Sequence, residues 1–212
     1  MVMFFKKSMS CPFCDFDNEI KYRLLEETDN FYLIPGVGAF IVPYILILSK
    51  EHYTCLASLP QEWLTELVAL EKKAKKFISD VYNLPIIEYE HGECMYGNDR
   101  SGACVKHFHL VLIGTKKDIY GTIEKNLGKP DNSIKKFSEL KHLDEEHRGY
   151  LLYKKNHKWV YWKGRNLISQ FTRRLLAEDQ RKNIYNWRIH PYFENMQTMI
   201  KDWKKWKKTS DN

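Results

Sequence analysis

The feature that most constrains the fold is the run KHFHLVLIG at residues 106–114. Alternate side chains of a β-strand share a face, so this run places large apolar residues on one face and two imidazoles on the other. The apolar face must be buried, and the other face carries His107, His109 and Val111. A single histidine in a strand is usually a half-buried structural residue, but two on one face make a functional site an equally good interpretation. The run therefore predicts a core strand over Cys104–Gly114 that presents both histidines to a site.

The sequence before this strand alternates strand-like segments with one amphipathic helix. Apolar alternation predicts three further strands, over Asn30–Ile34, Phe40–Leu48 and Pro85–His91. Apolar residues three and four positions apart predict a helix from Leu64 to Val81, preceded by Ser58 as N-cap and Gln61 in a capping box. Strands in short succession around a single packed helix indicate an antiparallel α+β fold.

The chain changes character after Gly114, where a lysine-rich segment begins. Residues 1–114 carry a net charge of −4, and residues 115–212 carry +11. This change predicts a first unit over 1–114 and a basic, mostly helical extension over 115–212 that packs on it. In the extension we expect helices over Leu167–Ala177 and Tyr192–Lys205 and a strand over Lys158–Tyr161.

The positive charge of the extension can be interpreted in two ways. A strongly basic surface is typical of proteins that meet polyanions such as nucleic acid. The most basic run, Lys201–Lys208, is equally typical of the solvated end of a helix, and we interpret it that way, with Trp203 and Trp206 packing one helical face onto the body.

The composition indicates a globular protein of a reducing compartment. The hydrophobic share of 43% is that of a folded chain. No secretory signal precedes Cys11, and no apolar run approaches the roughly 20 residues that a membrane span needs. The five cysteines are an odd number, so a disulfide framework is not expected. We expect a cytoplasmic protein without a membrane partner.

The second chemical motif is the CPFC run at Cys11 and Cys14. Two thiolates at this spacing can bind one zinc ion, which takes four nitrogen or sulfur ligands. A redox pair is the alternative, but such a pair normally opens a helix, and residues 15–18 are not a strong helix start. Because the chain has no second CxxC, histidines must complete any zinc site. By spacing alone, His52 and His107 are only two of eight candidates.

Several motifs together resemble the histidine-triad superfamily, whose signature is His-φ-His-φ-His-φ-φ with φ apolar. They are CPFC at 11–14, SKEH at 49–52 and a glycine-bearing loop that leads into HFHLVLIG, and they cover Cys11–Gly114 in order. The stretch ISQFTRRLLA at 168–177, followed by NWR at 186–188, is similar to the C-terminal extension of a bacterial branch of the superfamily, and that branch also carries the triplet EHG found here at 90–92. A more distant resemblance is to galactose-1-phosphate uridylyltransferases.

The resemblance implies a nucleotide-binding catalytic domain over 1–114 and a role for each matched residue. It implies a zinc ion held by Cys11, Cys14, His52 and His107. Because four protein ligands leave no open position for substrate, this zinc is expected to be structural. It implies that His109 is the nucleophile that attacks an α-phosphorus and forms a nucleotidyl-histidine. A neutral imidazole, with a pKa near ~6.5, is available for that attack at neutral pH.

The resemblance also implies a phosphate-binding loop over residues 97–104. The residues expected to bind substrate there are Asn98, Ser101, Gly102 and Cys104. Cys104 stands where many relatives have a serine, although a small buried strand residue is an equal interpretation. The third signature position is Val111, where relatives have a histidine or glutamine that hydrogen-bonds phosphate. Either Gln170 or Arg173 of the extension takes that role, or activity is altered or lost.

The predicted function is hydrolysis or transfer of a nucleotidyl group from a dinucleoside polyphosphate, a nucleotide sugar or an adenylated adduct. The implied partners are the nucleotide or dinucleotide substrate and, as a homodimer, a second copy of the chain. Two alternatives remain: an inactive nucleotide-binding or regulatory protein, as Val111 indicates, and an enzyme that removes a nucleotide cap from a nucleic-acid 5′ end, as the basic extension indicates.

Overall fold

The computed structural model describes residues 11–93, 99–177 and 182–210. Its main feature is an eight-stranded sheet in the order β1-β2-β3-β5-β4-β7-β8-β6, with antiparallel pairing throughout. The strands are β1 Glu26–Glu27, β2 Phe31–Pro35, β3 Tyr44–Ser49, β4 Ile86–Gly92, β5 His109–Gly114, β6 Asn132–Ile134, β7 Tyr150–Lys155 and β8 Lys158–Lys163. The helices are α1 Leu64–Tyr82, α2 Tyr120–Leu127, α3 Lys141–Glu145, α4 Phe171–Leu176 and α5 Phe193–Ser210. The predicted antiparallel α+β fold is confirmed.

Helix α1 packs against β2, β3 and β5 through the apolar stripe that the sequence predicts. The buried residues of that stripe are Leu67, Leu70, Ala74, Phe77 and Ile78. The predicted N-cap is wrong, because Trp63 and not Ser58 directly precedes α1. Ser58 donates its hydroxyl to the carbonyl of Cys55 at 2.8 Å, and a separate short helical turn, Gln61–Trp63, precedes α1. Ser58 itself ends the earlier short helical turn Leu56–Ser58, so it lies too far from Leu64 to cap α1.

Strand β3 begins at Tyr44, four residues later than predicted. Residues 36–43 instead form a broad turn onto which the end of the chain docks. The amide of Gly38 donates to the carbonyl of Pro191 at 2.7 Å, and the Asn195 side chain donates to the carbonyl of Ala39 at 2.7 Å. These backbone groups are therefore used for docking rather than for pairing between strands.

Strand β5 begins at His109, not at Cys104, which corrects the prediction. The amide of Phe108 donates to the carbonyl of Tyr53 at 2.6 Å, outside the pairing of β3 with β5. Strand alternation therefore starts at His109, and His107 belongs to the segment that leads into the strand. The predicted apolar face holds, since Leu110 and Leu112 are fully buried.

The extension continues the sheet, because β7 pairs with β4 and β8 forms a hairpin with β7. The predicted strand at Lys158 is β8, and the two predicted helices are α4 and α5 with altered ends. Strands β6 and β7 were not predicted. The sheet thus runs across Gly114, and the division into two parts stays a prediction.

Helix α5 packs on α1 through Trp203 and Trp206, as the sequence predicts. Their ring centroids lie 4.9 Å and 5.5 Å from that of Phe77, and both side chains are buried. Of the helices in the described ranges, none has the length and apolar character to cross a membrane.

Candidate metal centre and active site

The four predicted metal ligands meet in one cluster. The donor atoms of Cys11, Cys14, His52 and His107 all lie within 4.8 Å of one another. The Nδ1 of His107 is 3.5 Å from each thiol sulfur, and the Nδ1 of His52 is 3.2 Å from the sulfur of Cys14. Zinc–sulfur and zinc–nitrogen bonds of about 2.3 and 2.05 Å separate neighbouring tetrahedral ligand atoms by roughly 3.6 Å. The cluster therefore fits a tetrahedral ion of this size.

A hydrogen bond fixes which nitrogen of His107 can bind a metal. Its Nε2 lies 2.8 Å from the carbonyl oxygen of Ser49, and a carbonyl can only accept, so Nε2 carries the proton. Nδ1 then presents its lone pair to the two sulfurs. Burial also lowers the pKa of His107 to about 4, so the ring is neutral, as a metal ligand must be.

His109 is the first residue of β5 and is 8% exposed. Its Nδ1 lies 2.7 Å from the backbone carbonyl oxygen of His107, so Nδ1 is the protonated nitrogen. The lone pair therefore sits on Nε2, which has no hydrogen-bond partner among the described residues. Burial lowers the pKa of His109 and keeps the ring neutral. The arrangement presents an uncharged, oriented nitrogen nucleophile.

A small cavity of about 70 Å³ lies in front of His109. It is bounded by the N-terminal turns, by β3, by the segment before β5 and by the extension. Its lining residues are Pro12, Phe13, Glu19, Arg23, Val37, Tyr44, Leu46, Cys104, Val105, His109, Arg173 and Trp187. Two of the predicted substrate-binding residues, Cys104 and Arg173, therefore share a cavity with the predicted nucleophile.

Val111 lies two residues after His109, on the same face of β5, and is 1% exposed. Its partners across the sheet are Leu46 on β3 and Tyr89 on β4. Val111 thus fills the third signature position with an apolar side chain and offers no polar atom to a ligand.

Within the described part of the predicted phosphate loop, Cys104 lines the cavity, whereas Ser101 and Gly102 do not. Ser101 donates its hydroxyl to Glu93 at 3.2 Å, and the carbonyl of Gly102 accepts from the amide of Gln170 at 2.9 Å. Asn98 lies outside the described residues. Gln170 is 5% exposed, donates weakly to Asn186 at 3.5 Å, and its Oε1 has no partner among the described residues. These four assignments stay predictions.

His91, in the EHG motif, links β4, this loop and α4. Its Nδ1 donates to the carbonyl of Ser101, and its Nε2 accepts from the hydroxyl of Thr172. Burial lowers the pKa of His91 to about 4, so the ring is neutral and both nitrogens are satisfied. Because Thr172 precedes Arg173, His91 ties the start of α4 to the sheet beside the cavity.

Sequence reasoning missed three polar residues of the cavity, namely Glu19, Arg23 and Trp187. Arg23 and Glu19 lie in short N-terminal helical turns, and Trp187 lies in an irregular segment before α5. No motif at these positions indicates a site. The one available signal was the resemblance at NWR, which contains Trp187 without giving it a role.

Comparison with known proteins gives a sequence relative and several structural neighbours. No family model matches the chain. The adenosine 5′-monophosphoramidase HNT1 of Candida albicans is 30% identical over 115 residues, covering 53% of this chain and 74% of that protein. A histidine triad protein from Clostridium difficile superposes with a TM-score of 0.39 and 20% identity over 53% of this chain and 96% of its own. The yeast Ap4A phosphorylase Apa2 superposes with a TM-score of 0.42 and 12% sequence identity. That match covers 87% of this chain and 77% of the phosphorylase.

Proposed function

Since the chain belongs to the histidine-triad family, we propose that it is an enzyme that hydrolyses or transfers a nucleotidyl group, with His109 as the nucleophile. The substrate is a nucleoside phosphate conjugate: a dinucleoside polyphosphate, a nucleotide sugar or an adenylated adduct. The observation that carries the proposal is the orientation of His109, whose Nδ1 is bound by the carbonyl of His107 and whose Nε2 remains available.

The proposed reaction has two displacements at one phosphorus. The lone pair of His109 Nε2 forms a bond to the α-phosphorus, and the bond from phosphorus to the leaving group breaks with its electron pair. A water molecule or another acceptor then forms a bond to the phosphorus, and the bond to Nε2 breaks. Cys104 and Arg173 line the same cavity, which supports substrate-binding roles for both.

The metal in this proposal is one structural zinc ion, held by Cys11, Cys14, His52 and His107. Two thiolates and two neutral imidazoles are a donor set that zinc favours, and the spacing of their atoms suits a tetrahedron. With four protein ligands the ion supplies a crosslink between the N-terminal turn and the segment that leads into β5. No step of the reaction uses it directly.

Each part of the chain has a role in the proposed enzyme. We assign nucleotide binding and catalysis to residues 1–114 and treat 115–212 as a basic extension that completes the cavity through Arg173. The enzyme is proposed to be cytoplasmic and to form a homodimer. Light scattering of the purified protein tests the homodimer. Nucleic acid is a less favoured partner than the nucleotide substrate.

A second candidate is an inactive nucleotide-binding protein. It is favoured by Val111, which is buried between Leu46 and Tyr89 and gives the third signature position no hydrogen-bonding group. The two candidates differ in turnover and agree in nucleotide binding.

Turnover of defined conjugates tests the proposal. Wild-type protein is incubated with adenosine 5′-monophosphoramidate, with a dinucleoside tetraphosphate and with a nucleotide sugar, and products are separated by chromatography. We expect release of a nucleoside monophosphate from at least one conjugate and none from His109→Ala. The control His157→Ala changes an exposed histidine and keeps full activity. Nucleotide binding without turnover of any conjugate supports the binding protein instead.

A further inference from the structure

Two buried arginines from distant parts of the chain line the cavity in front of His109. Arg23 is 2% exposed and Arg173 is 5% exposed. Arg23 donates to the carbonyls of Glu19 and Pro35, at 2.6 and 3.2 Å. Arg173 donates to the carbonyls of Tyr185 and Gly38.

These guanidinium charges are only partly compensated. Across the described ranges, the arginine–carboxylate ion pairs within 4.0 Å involve Arg148 and Arg165, not Arg23 or Arg173. Glu19 lines the same cavity and acts on Arg23 at longer range. Arg173 has no carboxylate within 4.0 Å among the described residues, and the aromatic faces of Phe40 and Tyr44, 5.3 and 5.1 Å away, offset its charge only in part. A buried cation without a counter-charge is costly, so the cavity favours an anion.

Trp187 also lines the cavity and carries an unused hydrogen-bond donor. Its indole Nε1 is buried without a partner among the described residues. A buried N–H without an acceptor costs about 1–3 kcal/mol. An anion bound beside the arginines would supply that acceptor.

The position of Trp187 depends on a glycine. A Cβ on Gly38 would clash with the Cα and Cβ of Trp187 and would lie 2.8 Å from a guanidinium nitrogen of Arg173. Gly38 also has a φ of +75°, which favours glycine. The turn after β2 is therefore shaped to admit both residues of the extension.

The size of the cavity limits which group of a ligand it can enclose. About 70 Å³ is space for a compact group such as phosphoryl, and it is far below the ~300 Å³ at which pockets begin to enclose a whole small molecule. The enclosed group is thus a compact anion, and any larger part of the ligand lies outside the cavity as it stands.

We propose that Trp187 donates its indole N–H to an oxygen of the substrate's phosphoryl group, which the guanidinium groups of Arg23 and Arg173 hold beside His109. The inference rests on the proposed function, because it places the phosphorus of a nucleotide within reach of that histidine. Trp187 and Arg23 are then substrate-binding residues, and they provide the polar contacts that Val111 does not.

The test compares two tryptophans whose indole N–H groups are both buried and unpartnered in the described structure, Trp187 and Trp203. Phenylalanine at either position keeps an aromatic ring and removes the N–H. We expect Trp187→Phe to weaken AMP binding about 10- to 100-fold, the effect of losing one hydrogen bond to a charged group. Trp203→Phe, whose ring packs on Phe77 away from the cavity, keeps wild-type AMP affinity. Both variants bind adenosine as wild type does, because adenosine lacks the phosphate.

A second measurement follows ligand binding to the wild-type protein and needs the variants only to assign its signals. The six tryptophans each give one indole N–H signal in a proton–nitrogen correlation spectrum. Addition of AMP or of inorganic phosphate should shift the Trp187 signal downfield, whereas adenosine should not, and the Trp203 signal should not move. The spectrum of Trp187→Phe identifies the signal.

The outcomes separate this inference from the proposed function. Equal AMP affinity of wild type and Trp187→Phe, or an unmoved Trp187 signal in AMP-bound protein, overturns the inference while turnover can still stand. Weaker binding by Trp187→Phe in a protein that turns over no conjugate supports the inference and contradicts the proposed enzyme. Wild-type protein that binds neither AMP nor phosphate contradicts both.

Discussion

The Nδ1 of His109 lies 2.7 Å from the backbone carbonyl oxygen of His107, whose own ring belongs to the Cys₂His₂ cluster. One residue therefore joins the two centres: its imidazole faces the cysteines, and its carbonyl sets the tautomer and orientation of the next histidine on the chain. A change at the metal centre should thus alter the position of the proposed nucleophile without touching it. In the proposed mechanism this coupling lets the cluster influence catalysis without contacting the substrate.

The first prediction is that removal of one thiol removes the metal. Cys14→Ala should retain less than a tenth of the zinc of the wild type, because one of four ligands is lost. Unfolding should shift to lower denaturant concentration, since metal binding is coupled to folding. Elemental analysis and urea unfolding measure both effects. Cys104→Ala, a cysteine outside the cluster, is the control and should keep its zinc; full zinc in Cys14→Ala would eliminate the site.

The second prediction concerns stability at acid pH. Burial lowers the pKa of His91 to about 4, although the hydrogen bond to Ser101 opposes this shift, against ~6.5 for an unfolded histidine. The unfolded chain therefore binds more protons between these values, so the contribution of His91 is complete above pH 6.5 and is lost as the pH falls toward 4. The loss amounts to at most about 3 kcal/mol.

Urea unfolding from pH 7.5 to 4.5 measures this dependence. His91→Gln should be less stable at neutral pH, because the contacts to Ser101 and Thr172 weaken, and its stability should fall less steeply with acid. His157→Gln changes an exposed histidine and should follow the wild-type curve. Identical slopes for wild type and His91→Gln would show that His91 is not the titrating group.

The third prediction is that helix α5 is part of the core. Trp203 is 1% exposed and packs on Phe77, so Trp203→Ala should cost about 3–5 kcal/mol of the free energy of unfolding. Lys204→Ala, at the next and exposed position, should change it by less than ~0.5 kcal/mol. Denaturant unfolding monitored by circular dichroism compares the two. A change at Trp203 no larger than that at Lys204 would mean that α5 does not pack as described.

The parts of the molecule that sequence could predict are those with a local pattern. The α1 stripe follows helical spacing, and the cysteine pair with its two histidines follows the order of a known family. Strand β7 was missed because its first four residues are all buried, so it lacks the alternation of a half-exposed strand. The start of β5 was misplaced because the pairing of Phe108 with Tyr53 is a tertiary contact that no spacing records.

The polar residues of the cavity could not be predicted for a related reason. Arg23 and Trp187 are 164 positions apart and neither belongs to a motif that indicates a ligand. They meet because Arg23 bonds to Pro35 at the end of β2, while the segment before α5 docks on the turn that follows β2. Arg173 was found only because Val111 left a role unfilled.

The central claim is that His109 forms a covalent bond to a nucleotidyl group, and intact mass measurement tests it most directly. Wild-type protein, His109→Ala and His107→Ala are each incubated with a conjugate that the wild type turns over, then quenched in alkali, where phosphorus–nitrogen bonds survive. The wild type should gain the mass of one nucleotidyl group, and His109→Ala should gain none while keeping its zinc. His107→Ala should lose zinc, because it removes a ligand of the cluster. A nucleotidyl adduct on His109→Ala, or its retention of more than about a tenth of the wild-type rate, would contradict the account, since loss of a covalent nucleophile costs several orders of magnitude.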